Sequence, residues 1–267
     1  MHRCTRRCWS QRDQHHLMTR FHLIALLAFL TAAVGLACGQ WPLVPASLLT
    51  LFLAIGLGVT IPQLSFFGPF ICRGNPDKRQ VALTFDDGPD PRSTPALLEL
   101  LREHDLEAAF FVIGKKVEAA PELANQILRG GHLLENHTYE HSNATNFYST
   151  RQLTAELTRA QQAIQKHTGT TPRYFRPPVG LSNPNTFHAA EAVRLKVIGW
   201  NIRSLDRRIT DPEQIVRRIE RGLKPGAIIL LHDADIPAER LVVTVKLLLA
   251  KLREHRYEVV RLDRMLG

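Results

Sequence analysis

The sequence predicts an α/β fold: a distorted, incomplete (β/α) barrel of about seven strands, preceded by N-terminal transmembrane helices. Three observations carry this. From Val81 onward, short apolar runs alternate with stretches of helical spacing, the pattern of a parallel sheet with helical crossovers. Five of the strand-like runs are followed by a polar cluster, where barrel enzymes place their chemistry. Two long apolar runs come before all of this. The chain has 267 residues, a normal length for one α/β barrel with an attached segment.

The elements are expected as follows. Val81–Phe85 is a strand, and Leu97, Leu98 and Leu101 give Thr94–His104 a helical stripe. Ala108–Ile113 is a second strand, and Pro121–Arg129 a helix closed by Gly130 and Gly131. His132–Leu134 is a short third strand. Ser149–His167 is a long amphipathic helix with Gly169 just past its end. Tyr174–Phe175 leads into Arg176-Pro177-Pro178, Pro184–Arg194 is helical, and Lys196–Asn201 is a strand. Asp211 caps a helix that has Pro212 in its first turn and runs to Arg221. Ala227–Leu231 is a buried strand, Ile236–Arg253 a helix, and Tyr257–Leu262 a last strand.

The apolar runs are Phe21–Cys38, which has no charge except a possible one on His22, and Pro42–Ile61. Each is close to the ~20 residues that a membrane span needs. Trp41, in the turn between them, suits a membrane interface. Three membrane readings stand. One is a two-span hairpin. Arg3, Arg6, Arg7, Arg12 and Arg20 precede it and Arg73, Lys78 and Arg79 follow, so the positive-inside rule puts both flanks in the cytoplasm. The second is a cleaved signal with a membrane-associated segment. The third is a lipoprotein-like signal ending at Cys38. Met18 offers an alternative start. The expected organisation is a basic tail over 1–20, a membrane segment over 21–61, a linker over 62–80 and a catalytic domain over 81–267. The expected location is a bacterial-type inner membrane, with the side of the domain open.

A net charge of +9 raises the question of nucleic acid. The basic residues are scattered, however, and no nucleic-acid module is present, so nucleic acid is not expected as a partner. No protein partner is indicated either. Cys4, Cys8, Cys38 and Cys72 all precede Val81, so a disulfide framework does not hold the domain, and free thiols are expected.

The polar clusters are Thr84-Phe85-Asp86-Asp87-Gly88-Pro89, Asn136-His137-Thr138-Tyr139-Glu140-His141, Arg176-Pro177-Pro178-Val179-Gly180, Trp200 to Asp206, and Leu230-Leu231-His232-Asp233. His137 and His141 are four apart, so on one helical turn their rings would face the same way. Together with a carboxylate they make a three-ligand site with open positions, typical of catalytic Zn²⁺. Strand alternation puts Asp86 on one face with Ala82 and Thr84, while Asp87 begins the turn. One carboxylate can point at the site centre while the other reaches a metal.

These clusters, in this order from Val81 to Leu262, resemble the NodB-homology polysaccharide deacetylases, carbohydrate esterase family four. The resemblance implies a divalent metal, Zn²⁺ by preference, held by Asp87, His137 and His141. It implies Asp86 as general base, His232 as general acid and the Val179 N–H as oxyanion donor. Arg176 would pair with Asp86, Asp206 would orient His232, and Leu230 would line the acetyl-methyl pocket. The sequence departs from the family at the fourth cluster. There Asp-x-x-Asp-Trp is usual and Arg203-Ser204-Leu205-Asp206-Arg207 stands instead. Val179 replaces an aromatic residue, and Ser142 follows His141 where Pro is common. These losses fall where a groove wall would stack on sugar rings, and Arg203 and Arg207 suggest an anionic substrate.

Three functions are therefore expected in competition. The first is a membrane-anchored, metal-dependent deacetylase of N-acetylated amino sugars in a polysaccharide or saccharide. The second is a deacylase or deformylase of a lipid-linked saccharide at the cytoplasmic face. The third is a non-catalytic glycan-binding relative, which predicts decay of the catalytic set.

Overall fold

The computed structural model describes Thr19–Gly267. Most of the basic tail, Cys4, Cys8 and Met18 lie outside the described residues. The chain divides into two compact units, Met1–Gly56 and Leu57–Gly267.

The first unit contains helix α1 (Arg20–Ala37) and most of helix α2 (Leu43–Thr60). Both are 18 residues long and apolar enough to cross a membrane. At 1.5 Å per residue each spans about 27 Å, close to the thickness of a bilayer core. Their apolar side chains point outward on most sides: Phe29 is 63% exposed and Phe52 72%. A helix that is apolar all round belongs in an apolar environment.

The second unit is built on eight parallel strands. They are β1 (Gln80–Asp86), β2 (Ala109–Val112), β3 (Leu133–Asn136), β4 (Tyr174–Phe175), β5 (Lys196–Val197), β6 (Ile202–Arg203), β7 (Ala227–His232) and β8 (Glu258–Val259). The main path runs β5-β4-β3-β2-β1-β7-β6, and β8 pairs separately with the start of β1. Among the described strands β5 and β6 do not pair, so the barrel is incomplete, as the sequence predicts. Segment 62–80 enters this fold. Ile71 forms a bridge with Ile198, and Phe66, Phe67 and Phe70 are buried.

Alternation along β1 sorts its side chains. Val81, Leu83 and Phe85 face the outer helices, where they meet Phe110, Leu97, Leu101, Val245 and Leu248. Phe85 stacks on Phe110 with ring centroids 5.2 Å apart. Each such side chain contributes about 1.5–3 kcal/mol by leaving water. Ala82 faces the barrel interior with Phe111, Trp200, Ile228 and Leu230. Thr84 and Asp86 therefore share the interior face, and Asp86 comes out at its C-terminal mouth.

The helices are α3 (Thr94–Glu103), α4 (Gly114–Ala119), α5 (Pro121–Arg129), α6 (Thr150–Thr168), α7 (Pro184–Ala192), α8 (Pro212–Arg221), α9 (Ala238–Glu254) and α10 (Leu262–Leu266). Ser149 caps α6 by accepting from the Gln152 N–H, and Gly169 closes it at φ 71°. The Asp211 side chain caps α8 through the Glu213 N–H.

Two expectations are corrected and one helix is added. The strand expected over 196–201 ends at Val197, and a separate short strand, β6, begins beyond it at Ile202. Between them the Gly199 carbonyl accepts from Arg176 and the Trp200 carbonyl from Gln63, which takes both out of the ladder. The last strand stops at Val259, and α10 follows, turning Leu262 and Met265 into the interior cluster. Helix α4 was not anticipated; six residues carry too little periodicity to be read.

Candidate active site

The site is assembled at the C-terminal ends of the strands, from the loops that follow β1, β3, β4, β6 and β7. Ten described non-glycine residues have positive φ, and six of them lie on these loops or the one ending at Asp235: Asp87, Thr138, His141, Val179, Leu205 and Asp235. Backbone in this region is costly and is kept where surrounding structure fixes it, as at functional sites.

Arg176, at the end of β4, is fully buried. Its Nη1 donates to Asp86 Oδ1 at 2.6 Å and to Thr84 Oγ1 at 2.9 Å, and its Nη2 donates to the Gly199 carbonyl at 3.0 Å. Its guanidinium lies 4.1 Å from the centroid of the Phe111 ring. Burial pulls the Arg176 pKa down and Asp86 opposes this. Arginine nonetheless stays charged, so a buried ion pair sits under the site.

Asp87 follows Asp86 and turns the chain at φ 73°. Its Oδ1 lies 3.2 Å from His137 Nε2 and 3.1 Å from His141 Nε2. This buried oxygen has no hydrogen-bond partner among the described residues. Its Oδ2 pairs with Arg207 Nη1. Burial opposes ionisation of Asp87, but the neighbouring His137, His141 and His232 rings, when protonated, outweigh it and hold the carboxyl below its usual range. Gly88 is required next: a Cβ there would lie 2.3 Å from the Asp233 carboxylate.

His137 closes β3, and its Nδ1 lies 2.7 Å from the Arg176 carbonyl oxygen. His141 is brought to it by a turn and not by the helix expected from the spacing. Thr138 and His141 have φ of 67° and 55°, and the Tyr139 and Glu140 N–H groups donate to Glu156 on α6. The rings end 4.8 Å apart. Burial, with His137 beside it, pushes the His141 pKa down to about 4, so its ring is neutral at neutral pH.

His232, the last residue of β7, faces Asp206. Its Nδ1 is 2.7 Å from Asp206 Oδ1, and its N–H donates to Oδ2 at 2.8 Å. Ser204 Oγ donates to the same carboxylate. Burial alone would lower the His232 pKa, but the Asp206 carboxylate more than offsets this and raises it.

Val179 sits in a tight turn at φ 60°, half exposed, which is a strained conformation for a β-branched residue. Leu230 is buried beside Phe111 and Trp200 in the interior cluster. Of the two arginines expected near the site, Arg207 reaches it. Arg203 lies over Trp200, 5.8 Å from the ring centroid, and lines an outer groove of about 600 Å³ with Arg217, Arg218 and Arg221. Sequence reasoning did not anticipate Lys116, which donates to the Asp87 carbonyl, Asp235, which pairs with Arg207, or the buried carboxyl of Asp233. Lys116 and Asp235 give no motif signal. Asp233 belongs to the last polar cluster of the sequence, where no role is assigned to it.

The fit of a cation can be judged from the atoms present. A carbonyl oxygen only accepts, so His137 carries its proton on Nδ1 and turns a lone pair on Nε2 toward Asp87. Asp87 Oδ1 faces this nitrogen and His141 Nε2 with nothing donated to it. The ligand atoms of Asp87, His137 and His141 lie within 4.8 Å of one another. Two imidazoles and one carboxylate, with the second nitrogen of one imidazole fixed on a carbonyl, are a donor set that fits a divalent cation.

Comparison with known proteins agrees. Residues 73–198 match the family model described as "Polysaccharide deacetylase". A peptidoglycan-N-acetylglucosamine deacetylase of Bacillus cereus is 34% identical over 192 residues, 71% of this chain and 89% of that protein. A chitooligosaccharide deacetylase of Azorhizobium caulinodans is 31% identical over 171 residues, 64% of this chain and 81% of that protein. The crystal structure of a carbohydrate esterase family four pseudoenzyme from Bacillus anthracis superimposes with a TM-score of 0.69 at 28% identity, covering 76% of this chain and 71% of that one. The chain therefore belongs to the polysaccharide deacetylase family, the hydrolases of carbohydrate esterase family four.

Proposed function

We propose that this chain is a metal-dependent deacetylase that hydrolyses the N-acetyl amide of an amino sugar in a glycan. The observation that carries this reading is the bare, buried Asp87 Oδ1 between two imidazole nitrogens. When bound there, a divalent cation, Zn²⁺ by preference, would polarise the acetamide carbonyl and make water acidic enough to be deprotonated near neutral pH. The proposed ligands are Asp87, His137 and His141.

The chain's own residues do the rest. Asp86 is held in place by Arg176 through Oδ1, which leaves Oδ2 to take a proton from the attacking water. The Val179 N–H would donate to the oxygen on which negative charge develops. His232, whose protonated form is favoured by its contact with Asp206, gives its proton to the departing nitrogen as the C–N bond breaks. An amine leaves poorly unless protonated, so this step is a chemical necessity. Acetic acid, which ionises to acetate, and a free amino sugar result; Asp86 then loses its proton to solvent and His232 regains one from it, which restores both groups. Leu230 would meet the acetyl methyl group. The presence of every one of these residues is the argument against a non-catalytic relative.

The proposed domain covers 81–267, reached through 62–80. We further propose that α1 and α2 attach the protein to a bacterial-type inner membrane. Their length and outward apolar surface support this. An alternative substrate, a lipid-linked saccharide deacylated or deformylated at the cytoplasmic face, is favoured by those helices.

The experiment is acetate release from chitooligosaccharides and from peptidoglycan fragments, the substrates named for the relatives. Acetate from either supports the reading. Absence of acetate or formate from every amino sugar tried, including a lipid-linked one, would overturn it.

A further inference from the structure

Asp206 and Arg207 are adjacent on the turn after β6, and they point to different halves of the site. Leu205 sets the turn at φ 61°, and its carbonyl accepts from the N–H groups of Arg208 and Ile209. From this pivot Asp206 faces His232, while Arg207 Nη1 meets Asp87 Oδ2. Arg207 Nη2 rests 3.3 Å from Asp235 Oδ2, and Arg92 links Asp235 to Asp90. The Arg207 side chain is 41% exposed, whereas Asp87 is 5% exposed. The guanidinium thus reaches in from the mouth and takes one oxygen of a carboxylate that is otherwise buried.

A carboxylate ligand has two oxygens, and free rotation would let it offer both to one cation. That would fill a position that catalysis needs for water and substrate. With Oδ2 donated to by Arg207, only Oδ1 is left facing His137 and His141. We propose that Arg207 is a positioning residue that restricts Asp87 to single-oxygen ligation and so keeps coordination positions open. This rests on the metal reading above. The turn would then organise both ends of the reaction, the acid through Asp206 and the metal ligand through Arg207.

The test uses the full-length chain loaded with Co²⁺, whose visible absorption is strong at low coordination number and weak at high. Wild type, Arg207→Lys and Arg207→Ala are compared at equal cobalt content. The expected result is a severalfold fall in visible absorption in Arg207→Ala, with recovery in Arg207→Lys, which keeps a cationic donor. Arg207 is substantially exposed, so both variants should melt near the wild-type temperature. An Arg207→Ala spectrum identical to wild type would overturn the proposal while leaving the metal site standing. If wild type takes up no cobalt, or if Asp87→Asn gives the wild-type spectrum, the metal reading itself fails.

Discussion

His137 turns its Nδ1 to the carbonyl oxygen of Arg176 at 2.7 Å, while the Arg176 guanidinium holds Asp86 at 2.6 Å. One residue thus fixes a tautomer with its backbone and a carboxylate with its side chain. The tautomer leaves Nε2 of His137 as a lone-pair donor toward the centre of the site. The ion pair gives the buried Asp86 carboxylate a partner of opposite charge.

Removing Arg176 should therefore damage stability as well as rate. Arg176→Met leaves Asp86 as an uncompensated buried charge, and breaking such a pair costs about 3–5 kcal/mol. Urea denaturation at pH 7 measures it. Adding Asp86→Asn to Arg176→Met should recover part of the loss, since the orphaned charge is then gone, although activity stays low.

His232 should govern the alkaline side of the pH–rate profile. It must be protonated to act as an acid, and that form is lost as pH rises through its pKa. Asp206 raises this pKa, so Asp206→Asn should lower it and move the alkaline limb of kcat/KM to lower pH. His232→Ala should lower kcat by about 10²–10⁴-fold, the usual worth of a positioned acid.

Asp233 should make the fold less stable as pH rises. Burial pushes its carboxyl up to about 7 from an ordinary value of 3.8. Between these values the folded state keeps a proton that the unfolded chain has lost, so stability falls as pH increases across that window. Glu135, pushed by burial to about 7, acts in the same direction. Asp233→Asn keeps an acceptor for the Thr94 hydroxyl and should flatten the fall by the Asp233 share. Melting temperature measured from pH 4 to pH 8, in both proteins, checks this.

The side of the membrane should decide between the two substrates. A reporter fused after Gly267 that is active only in the cytoplasm points to a lipid-linked precursor, and one active only in the periplasm points to wall or exported glycan. If the protein instead stays soluble after the cells are broken and the membranes removed, membrane attachment is wrong.

Much of the site was legible in the sequence because its residues come in short clusters right after strands. Asp86 and Asp87 were separated correctly by strand alternation alone. His137 and His141 do converge, but by a strained turn tied to Glu156, a contact sixteen and seventeen residues away that spacing cannot reveal. The broken strand at Gly199 was hidden because its carbonyl is claimed by Arg176 from 23 residues away. Arg207 read as a substrate-facing charge, since its partner Asp87 lies 120 positions earlier in the chain. What was missed consists of long-range polar contacts, and hydrophobic patterning carries no trace of them.

Metal dependence is tested most directly by acetate release from N-acetylglucosamine oligomers before chelation, after chelation and after Zn²⁺ is returned. Loss of activity on chelation and its return with zinc in the wild type, with none at any stage in Asp87→Asn, is the expected result. A chelated, metal-free protein that releases acetate at the full rate would contradict it.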